Sequence, residues 1–159
     1  MSDRQYWLMK SEPYAYSIDD LERDEVEPWD GVRNYEARNF MRDRMRIGDR
    51  ALFYHSNVKP PVIAGVMEVC SEPYPDPTQF DPDSKYFDEK SSESDPRWQL
   101  VDVRFVHKFE EPVTRNRLKE DPALSEMMLF KRNRLSITPV QEEEFKRVLE
   151  LAGADHLTG

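Results

Sequence analysis

Aromatic residues stand beside small hydrogen-bonding residues at several points in this chain, a pairing suited to a flat, polar ligand. The aromatic residues concerned are Trp7, Trp29, Tyr35, Tyr54, Tyr86 and Trp98, and their polar neighbours include Ser11, Asp30, Asn34, Ser56, Asn57 and Arg97. Aromatic rings stack on the faces of a nucleobase, while amides, hydroxyls and carboxylates bond along its edge. Aromatic residues are also the main material of hydrophobic cores, so these residues alone leave both a base-binding pocket and a core open.

The segment from Trp29 to Arg50 is locally basic in an acidic chain. It contains six arginines and four acids: Arg33, Arg38, Arg42, Arg44, Arg46 and Arg50, with Asp30, Glu36, Asp43 and Asp49. Arginine binds phosphate through two parallel N–H groups and stacks on bases, which favours a nucleic-acid-binding patch. The alternative is a solvated helix face with ion pairs such as Asp43 with Arg42 or Arg46.

Residues suited to catalysis are sparse. The chain has no GxSxG, P-loop or HExxH motif, and no cysteine and histidine stand at the spacing of metal ligands. His55, at the end of a predicted strand, could act as a general base for Ser56, but a hydrogen-bonded structural histidine is the favoured interpretation. The single cysteine, Cys70, is expected to be buried and inert. We therefore expect no catalytic residue, no metal and no cofactor, and favour a binding protein over an enzyme.

Composition narrows the class of protein further. The 159 residues fit one domain, and 3 Trp, 7 Tyr and 8 Phe can anchor its core despite a charged fraction of 35%. The net charge of -9 excludes a coat protein that binds duplex DNA without regard to sequence. No apolar run approaches the roughly 18 residues of a membrane helix, and the amino terminus lacks a signal peptide. We expect a cytoplasmic protein with no membrane partner.

The elements that must position these residues alternate between strands and helices. We predict strands at Gln5–Met9, Arg50–Tyr54, Val62–Cys70, Trp98–Phe109 and Leu135–Ile137, and helices from Ser17, from Tyr35 to Gly48, around Arg115–Met128 and after Thr138. The second and third strands form a hairpin in which Gly65 permits a bulge or a close approach. Strands with helices packed outside them indicate an α+β fold built on a small mixed barrel.

Two of these elements have well-marked patterns. In the fourth strand, alternation places Val101, Val103, Phe105 and Phe109 on one face. At the last helix, Thr138 is suited to the N-cap, Pro139 to the first helical position and Gln141 to the capping box. The buried stripe of this helix is predicted to be Phe145, Val148, Leu149 and Ala152.

The stretch from Ser71 to Pro96 is polar and rich in proline, and we interpret it as a long loop within a single domain spanning residues 1–159. Long loops in compact domains are often functional, so a lid or pocket wall is one interpretation. A tolerated insertion is the other.

Five ordered segments together resemble the EVE domain family. They are YWLMKSEP (Tyr6–Pro13), WDGVRNYEARNFMR (Trp29–Arg42), GDRALFYHSN (Gly48–Asn57), PRWQLVDV (Pro96–Val103) and RLSITPV (Arg134–Val140). The resemblance covers nearly the whole chain. It implies a PUA-like fold, a small mixed β pseudo-barrel surrounded by helices that is shared with the YTH and ASCH domains, whose relatives bind RNA or modified bases in a pocket on the barrel.

The resemblance also implies a set of ligand-binding residues. Trp29 is the expected stacking wall and Asp30 a contact to the base edge, and the loop-like setting between Pro28 and Gly31 suggests that Trp29 can be replaced without loss of the fold. The other residues implied are Lys10, Ser11, Asn34, Tyr35, Arg38, Asn39, Tyr54, Ser56, Asn57, Tyr86 and Trp98.

The leading hypothesis is a module that binds a modified base, cytosine or adenine, in DNA or RNA and performs no chemistry on it. The alternative is an ASCH-like hydrolase or nuclease that acts on nucleic acid or on a modified nucleoside. A third possibility is a scaffold whose pocket holds an amphipathic metabolite. The sequence leaves the oligomeric state open.

Overall fold

A computed structural model of the chain describes residues 4–157. Its strands are β1 (Tyr6–Ser11), β2 (Val26–Pro28), β3 (Arg50–His55), β4 (Val62–Val69), β5 (Tyr74–Pro75), β6 (Gln99–Leu100), β7 (Asp102–Thr114) and β8 (Ile137–Val140). Its α-helices are α1 (Ile18–Asp24), α2 (Tyr35–Asn39), α3 (Arg115–Glu120), α4 (Met128–Lys131) and α5 (Glu142–Leu151). Within these residues, no helix combines the length and the apolar character that crossing a membrane requires.

Six strands form one curled, mixed sheet in the order β2-β7-β4-β3-β1-β8. Strands β1 and β3 are parallel, and every other neighbouring pair is antiparallel. Register shifts interrupt the pairing of β4 with both of its neighbours, and such bulges increase local twist and bend a sheet. The predicted α+β class with a small mixed barrel is confirmed.

Successive residues of a strand point to opposite sides of the sheet, and both sides are buried in this domain. On β1, Trp7 and Met9 belong to one core and Leu8 to the other. Helices α1 and α2 cover the first core, which also contains Trp29. Helices α3, α4 and α5 cover the second. We call these the α1 face and the α5 face.

The predicted alternation along β7 is correct only for its first half. Val101 and Val103 lie in the core of the α1 face and Phe105 packs against it, but Phe109 lies in the core of the α5 face. A register shift between the partners of Val66 and Met67 is the reason, since one extra residue exchanges the two sides of a strand. The strand also continues beyond Phe109 to Thr114.

Helix termini follow the expected chemistry at α1 but not at α5. The Ser17 hydroxyl accepts from the backbone N–H of Asp20, whose carboxylate accepts from the backbone N–H of Ser17. The assignment of Thr138 as the N-cap of α5 is wrong, because Thr138 pairs with Leu8 inside the sheet. The N-cap is Gln141, with Glu144 completing the capping box. Phe145, Val148 and Leu149 are buried as predicted, whereas Ala152 is only partly buried.

The second predicted helix is shorter than its pattern suggests. The α-helical part ends at Asn39, and one π-helical segment, Phe40–Arg44, follows before the chain becomes extended at Met45.

The predicted close approach at Gly65 is present, since a Cβ there would lie 2.3 Å from the carbonyl oxygen of His107. Only glycine therefore fits this position.

Candidate functional site

A cleft of about 750 Å³ opens at the edge of the sheet where β1 and β3 end. Because β1 and β3 are parallel, Ser11 and Ser56 meet at this edge. Strand β8 runs antiparallel to β1, which brings the preceding residue Ser136 to the same place. The loop from Trp29 to Asn34, which follows β2, forms another wall.

Seven of the predicted ligand-binding residues line this cleft. They are Lys10, Ser11, Trp29, Asp30, Asn34, Ser56 and Tyr86. The other six, Tyr35, Arg38, Asn39, Tyr54, Asn57 and Trp98, are not among its lining residues. The residues predicted from the sequence motifs therefore lie in several regions rather than in one pocket.

Trp29 belongs to both the cleft and the core. It is 8% exposed and packs edge-on against Phe53, with ring centroids 5.4 Å apart at an interplanar angle of 85°. Trp29 lies in a loop as expected, but the expectation that it can be replaced without loss of the fold is wrong, because its backbone N–H donates to the carbonyl oxygen of Val101 and its ring packs in the core of the α1 face.

The indole N–H of Trp29 is nevertheless available to a ligand. Within residues 4–157 it donates to no partner, and the only buried side-chain polar atom without a partner there is Thr138 Oγ1. The Trp29 Nε1 atom therefore keeps some contact with solvent, and Trp29 is one of the residues that line the cleft. Its indole N–H is thus a candidate donor to a ligand, in addition to the aromatic surface of its ring.

Tyr86 adds a second aromatic side chain to the cleft. Its ring lies directly over Gly31, where an added Cβ would approach the ring carbons to 2.6 Å. Gly31 also has a φ of +81°, in the region that favours glycine. The Lys85 ammonium lies 5.0 Å from the centre of the Tyr86 ring, within the range of a cation–π contact.

Arg33 fastens the long loop that carries Tyr86. Its guanidinium donates to the carbonyl oxygen of Tyr86 at 2.7 and 3.0 Å, to Thr78 Oγ1 at 3.0 Å and to Asp76 Oδ2 at 3.2 Å. The buried Asp76 carboxylate also accepts from the backbone N–H of Gly31 at 2.8 Å. Between the two interpretations of the long loop, the structure supports the pocket wall.

Several polar groups in the cleft retain unused hydrogen-bonding capacity. Asn34 Oδ1 accepts from the backbone N–H of Ala37 at 2.9 Å and caps α2, which leaves the side-chain NH₂ group without a partner in the described chain. The hydroxyl of Ser56 is likewise unpartnered within residues 4–157, whereas that of Ser11 donates to the carbonyl oxygen of Tyr16 at 2.6 Å.

Asp30 supplies an acceptor whose ionisation is shifted by its surroundings. Loss of solvent around the carboxyl group and, secondly, the neighbouring Asp76 raise the pKa of Asp30 above its usual range, while Arg33 opposes the shift. Both causes disfavour the charged form. A ligand that donates a hydrogen bond to Asp30 would offset this cost.

Cations surround the opening. Lys10 donates to the carbonyl oxygen of Asn133 at 2.8 Å, and burial together with the charge of Arg115 lowers the pKa of Lys10. Arg134 is exposed and forms no hydrogen bond or ion pair with any described residue. Lys85 also lines the cleft, and the acids Glu12, Glu27 and Asp30 line it as well, so cations and acids are mixed around the opening.

Tyr54 and Asn57 lie outside the cleft for separate reasons. Alternation along β3 directs Phe53 toward Trp29 and Tyr54 into the core of the α5 face. Asn57 is exposed, and its side-chain NH₂ group donates to Glu12 Oε2 at 2.6 Å.

Tyr35, Arg38, Asn39 and Trp98 form a second group outside the cleft. The Tyr35 and Trp98 rings stack at 4.8 Å with an interplanar angle of 20°. Trp98 is 6% exposed, and its indole N–H donates to Asp88 Oδ2 at 2.8 Å. The Asn39 side-chain oxygen accepts from Arg38.

Comparison with known proteins identifies the chain. A model of the EVE domain matches residues 5–151. The chain belongs to the EVE domain family. It is 44% identical to human thymocyte nuclear protein 1 over 92% of this chain and 73% of that protein.

Solved structures of EVE domain relatives have the same fold. A hypothetical protein from Leishmania major matches with a TM-score of 0.92 at 45% identity, over 97% of this chain and 98% of that one. The human THYN1 protein, solved in complex with DNA containing 5-methylcytosine, matches with a TM-score of 0.88 at 43% identity, over 93% and 97% of the two chains. An ASCH protein from Zymomonas mobilis has a TM-score of 0.57 at 12% identity over 93% of this chain and 99% of that one, a likeness of fold alone that agrees with a PUA-like architecture.

The arginines of this EVE domain do not act as one free patch. Arg33 pairs with Asp76, Arg42 with Asp43 at 2.8 Å and Arg50 with Glu68 at 3.3 Å. The exposed pair of Arg42 with Asp43 fits the alternative of a solvated helix face with ion pairs, whereas Arg33 and Arg50 are partly buried and pair with acids distant in sequence. Arg38 differs, because it forms no ion pair with an acid among the described residues.

His55 and Ser56 do not form a nucleophile and base pair in this EVE domain. His55 Nε2 accepts the backbone N–H of Ile18 at 3.2 Å, at the start of α1, and burial lowers the pKa of His55. No cluster of three or more metal-binding side chains occurs within residues 4–157. Cys70 is partly rather than fully buried, and desolvation raises the pKa of its thiol.

Some lining residues were missed by sequence reasoning. They are Glu12, Tyr16, Glu27, Lys85, Asn133, Arg134 and Ser136, among others. A usable signal existed for Arg134 and Ser136, because they belong to a segment that carries the family resemblance. Antiparallel pairing of the strand at Ile137 with β1 would have placed them beside Lys10.

Proposed function

We propose that this EVE domain binds DNA that carries a modified cytosine and holds the modified base, turned out of the base stack, in the cleft. The observation that carries the proposal is the combination, in one cleft, of aromatic surface from Trp29 and Tyr86 with the unpartnered polar groups of Asn34 and Trp29. A flipped base requires both aromatic stacking and hydrogen bonds to its edge. The DNA complex of the human relative supports the choice of ligand.

The polar groups match the edge of cytosine. Its exocyclic amine donates a hydrogen bond, and carboxylates are suitable acceptors for that amine, a role we assign to Asp30. Its ring carbonyl and ring nitrogen accept hydrogen bonds, which the Asn34 NH₂ group and the Trp29 indole N–H can donate. Pro28 and Val32, which also line the cleft, offer apolar surface for a methyl group on the ring.

The DNA backbone contributes less to this mode of binding. Lys10, Lys85 and Arg134 are the cations that line the cleft and are not paired with an acid among the described residues. Each phosphate that a cation neutralises adds close to one unit to the dependence of log affinity on log salt concentration. We expect a salt dependence equivalent to no more than about three phosphate contacts.

The test is a binding comparison between oligonucleotides that differ in one group. Fluorescence anisotropy would be measured with DNA of one sequence containing either cytosine or 5-methylcytosine at the centre, and with the RNA counterparts. Tighter binding of the 5-methylcytosine DNA is expected. Equal affinity for the methylated and unmethylated DNA would refute the proposal, and a preference for modified RNA would redirect it to RNA.

Variants then assign the preference to the cleft. Asn34→Asp keeps a side-chain oxygen to cap α2 but removes the NH₂ donor, and Asp30→Ala removes the acceptor. Both are expected to lower the affinity for methylated DNA while the melting temperature stays close to that of the wild type. Glu143→Gln, an exposed change on α5 outside the cleft, is the control and should have no effect.

A further inference from the structure

Tyr35 presents an aromatic ring to solvent outside the cleft. The residue is 51% exposed, although it immediately follows the cleft residue Asn34. Its ring rests on that of Trp98, which is itself almost fully buried and fixed by the hydrogen bond from its indole to Asp88. An exposed ring that is held in place loses little conformational entropy when a partner stacks on it.

The free face of the Tyr35 ring is not occupied by Arg38. The Arg38 guanidinium carbon lies 4.7 Å from the centre of the Tyr35 ring and 6.0 Å from that of Trp98, while the two rings are 4.8 Å apart. If Arg38 covered the face of Tyr35 opposite Trp98, its distance from the Trp98 ring would approach the sum of the Arg38–Tyr35 and Tyr35–Trp98 distances. The shorter distance observed shows that Arg38 does not lie on the face opposite Trp98, so Arg38 leaves the outer face open.

Arg38 adds a positive charge that forms no ion pair with an acid among residues 4–157. It donates to the carbonyl oxygen of Arg97 at 2.6 Å and to the side-chain oxygen of Asn39 at 2.7 and 3.0 Å. These neutral acceptors fix its position and leave its positive charge. An open aromatic face with a fixed guanidinium beside it offers the two contacts that a nucleotide needs, one for the base and one for the phosphate.

The Tyr35 surface is connected to the cleft through fixed side chains. The Arg33 guanidinium lies 5.5 Å from the centre of the Tyr86 ring, which lines the cleft, and 5.3 Å from that of Trp98, on which Tyr35 rests. Both Arg33 and Trp98 are held by hydrogen bonds to the long loop. The spacing between cleft and Tyr35 is therefore set by the fold.

We propose that Tyr35 and Arg38 form a second subsite, in which a base within two positions of the modified nucleotide on the same strand stacks on Tyr35 while Arg38 contacts its phosphate. This inference rests on the proposed function of the cleft. It makes recognition depend on a neighbouring base that the cleft itself does not touch. Any base can stack on an aromatic ring, so the subsite requires a base at this position but does not select which base it is.

The test uses single-stranded DNA nonamers with one central 5-methylcytosine. Binding is measured for the intact strand and for four strands with an abasic site at one of the two nearest positions on either side. Tyr35→Ala is expected to weaken binding of the intact strand by about 5- to 150-fold, the range of one base stacked on an aromatic ring. On one of the four abasic strands, Tyr35→Ala and the wild type should bind with equal affinity, because that strand lacks the base that stacks on Tyr35. Tyr35→Phe should bind like the wild type.

Controls separate this inference from the function of the cleft. Ile47→Ala removes another exposed apolar side chain, 57% exposed, and should bind every strand like the wild type. Thermal melting identifies any Tyr35→Ala loss that arises from unfolding. If the wild type does not distinguish methylated from unmethylated strands, the proposed function fails and the subsite with it. The subsite alone is refuted if the wild type prefers methylated strands but Tyr35→Ala binds all five strands as tightly as the wild type does. It is likewise refuted if Tyr35→Ala loses affinity by the same factor on all five strands.

Discussion

The two ends of the parallel strands β1 and β3 use polar groups in opposite ways. At the amino-terminal end, Asp49 is 2% exposed and accepts hydrogen bonds from the backbone N–H groups of Gln5 and Arg46 and from the indole of Trp7, each at 3.0 Å. The carboxylate is thus fully engaged with partners in the same domain. This end is closed.

At the carboxyl-terminal end, the polar groups are held in position but are not all used. Within the described residues, the Asn34 side-chain oxygen caps α2 while its NH₂ group has no partner, and the Trp29 ring packs in the core while its indole N–H has no partner. Asn34 is exposed, so water can satisfy its NH₂ group when no ligand is bound, whereas the buried Asp49 carboxylate is satisfied within the protein. The contrast indicates that this open end holds polar groups in position with bonding capacity that a ligand can use.

The largest effect is expected at Trp29, which serves both the core and the cleft. Truncating a buried aromatic residue to alanine costs about 3–5 kcal/mol, so we expect Trp29→Ala to lower the free energy of unfolding by that amount, measured in a urea titration. Trp29→Phe retains most of the packing but lacks the N–H donor, and should lose affinity for methylated DNA with a smaller loss of stability. Unchanged affinity in Trp29→Phe would show that the indole N–H does not serve the ligand.

A comparable loss of stability at the closed end should leave binding intact. Asp49→Ala deprives three donors of their acceptor, of which the Trp7 indole N–H lies in a buried hydrogen bond, and one unsatisfied buried group costs about 1–3 kcal/mol. We expect the free energy of unfolding to fall by about 3 kcal/mol, while the affinity of the folded protein for DNA stays unchanged. The control is Asp83→Ala at an exposed position. Weakened binding by folded Asp49→Ala would mean that the two ends are coupled.

The pH dependence of binding should reveal Asp30. Its pKa is raised from 3.8 by desolvation first and then by Asp76, and only the ionised carboxylate accepts from the cytosine amine at both oxygens. Affinity should therefore fall as the pH falls through this raised pKa, earlier than for an ordinary aspartate. Asp30→Asn removes this titration, so a wild-type profile that coincides with that of Asp30→Asn would contradict the role of Asp30.

The same titration has the opposite sign for the stability of the free protein. Because the pKa of Asp30 is higher in the folded state than in the unfolded chain, the folded state binds the proton more tightly in the range between the two values. Protonation of Asp30 therefore stabilises the fold as the pH falls through that range. Acid should weaken binding through Asp30 without unfolding the protein through it.

Much of the fold follows from local patterns, and the errors arise where distant contacts decide. The Ser17 cap of α1 and the β3–β4 hairpin depend on neighbouring residues and were predicted. Thr138 resembles an N-cap locally, but its pairing with Leu8, far away in the sequence, keeps it in a strand. Phe109 changes sides because of a bulge that the alternation cannot show.

The candidate site divides in the same way. Trp29, Asp30 and Asn34 are close in sequence and were found together. Tyr54 was assigned with Ser56, yet strand alternation turns it to the α5 face. Arg134 is distant in sequence from the other cleft residues. Its position in the cleft depends on the pairing of β8 with β1, which residue spacing alone does not reveal.

The smallest effects should come from the two serines at the open end, which form a matched pair. Ser11→Ala removes a hydroxyl that donates to the carbonyl oxygen of Tyr16 at 2.6 Å, and a typical hydrogen bond of this kind contributes about 1 kcal/mol. Ser56→Ala removes a hydroxyl without a partner in the described chain, so its free energy of unfolding should change by less than about 0.5 kcal/mol. Ser56→Ala should instead lower the affinity for methylated DNA slightly, because its hydroxyl is free to bond with a ligand in the cleft. Equal losses of stability in the two variants, measured by urea titration, would show that the Ser56 hydroxyl bonds within the protein and is not free for a ligand.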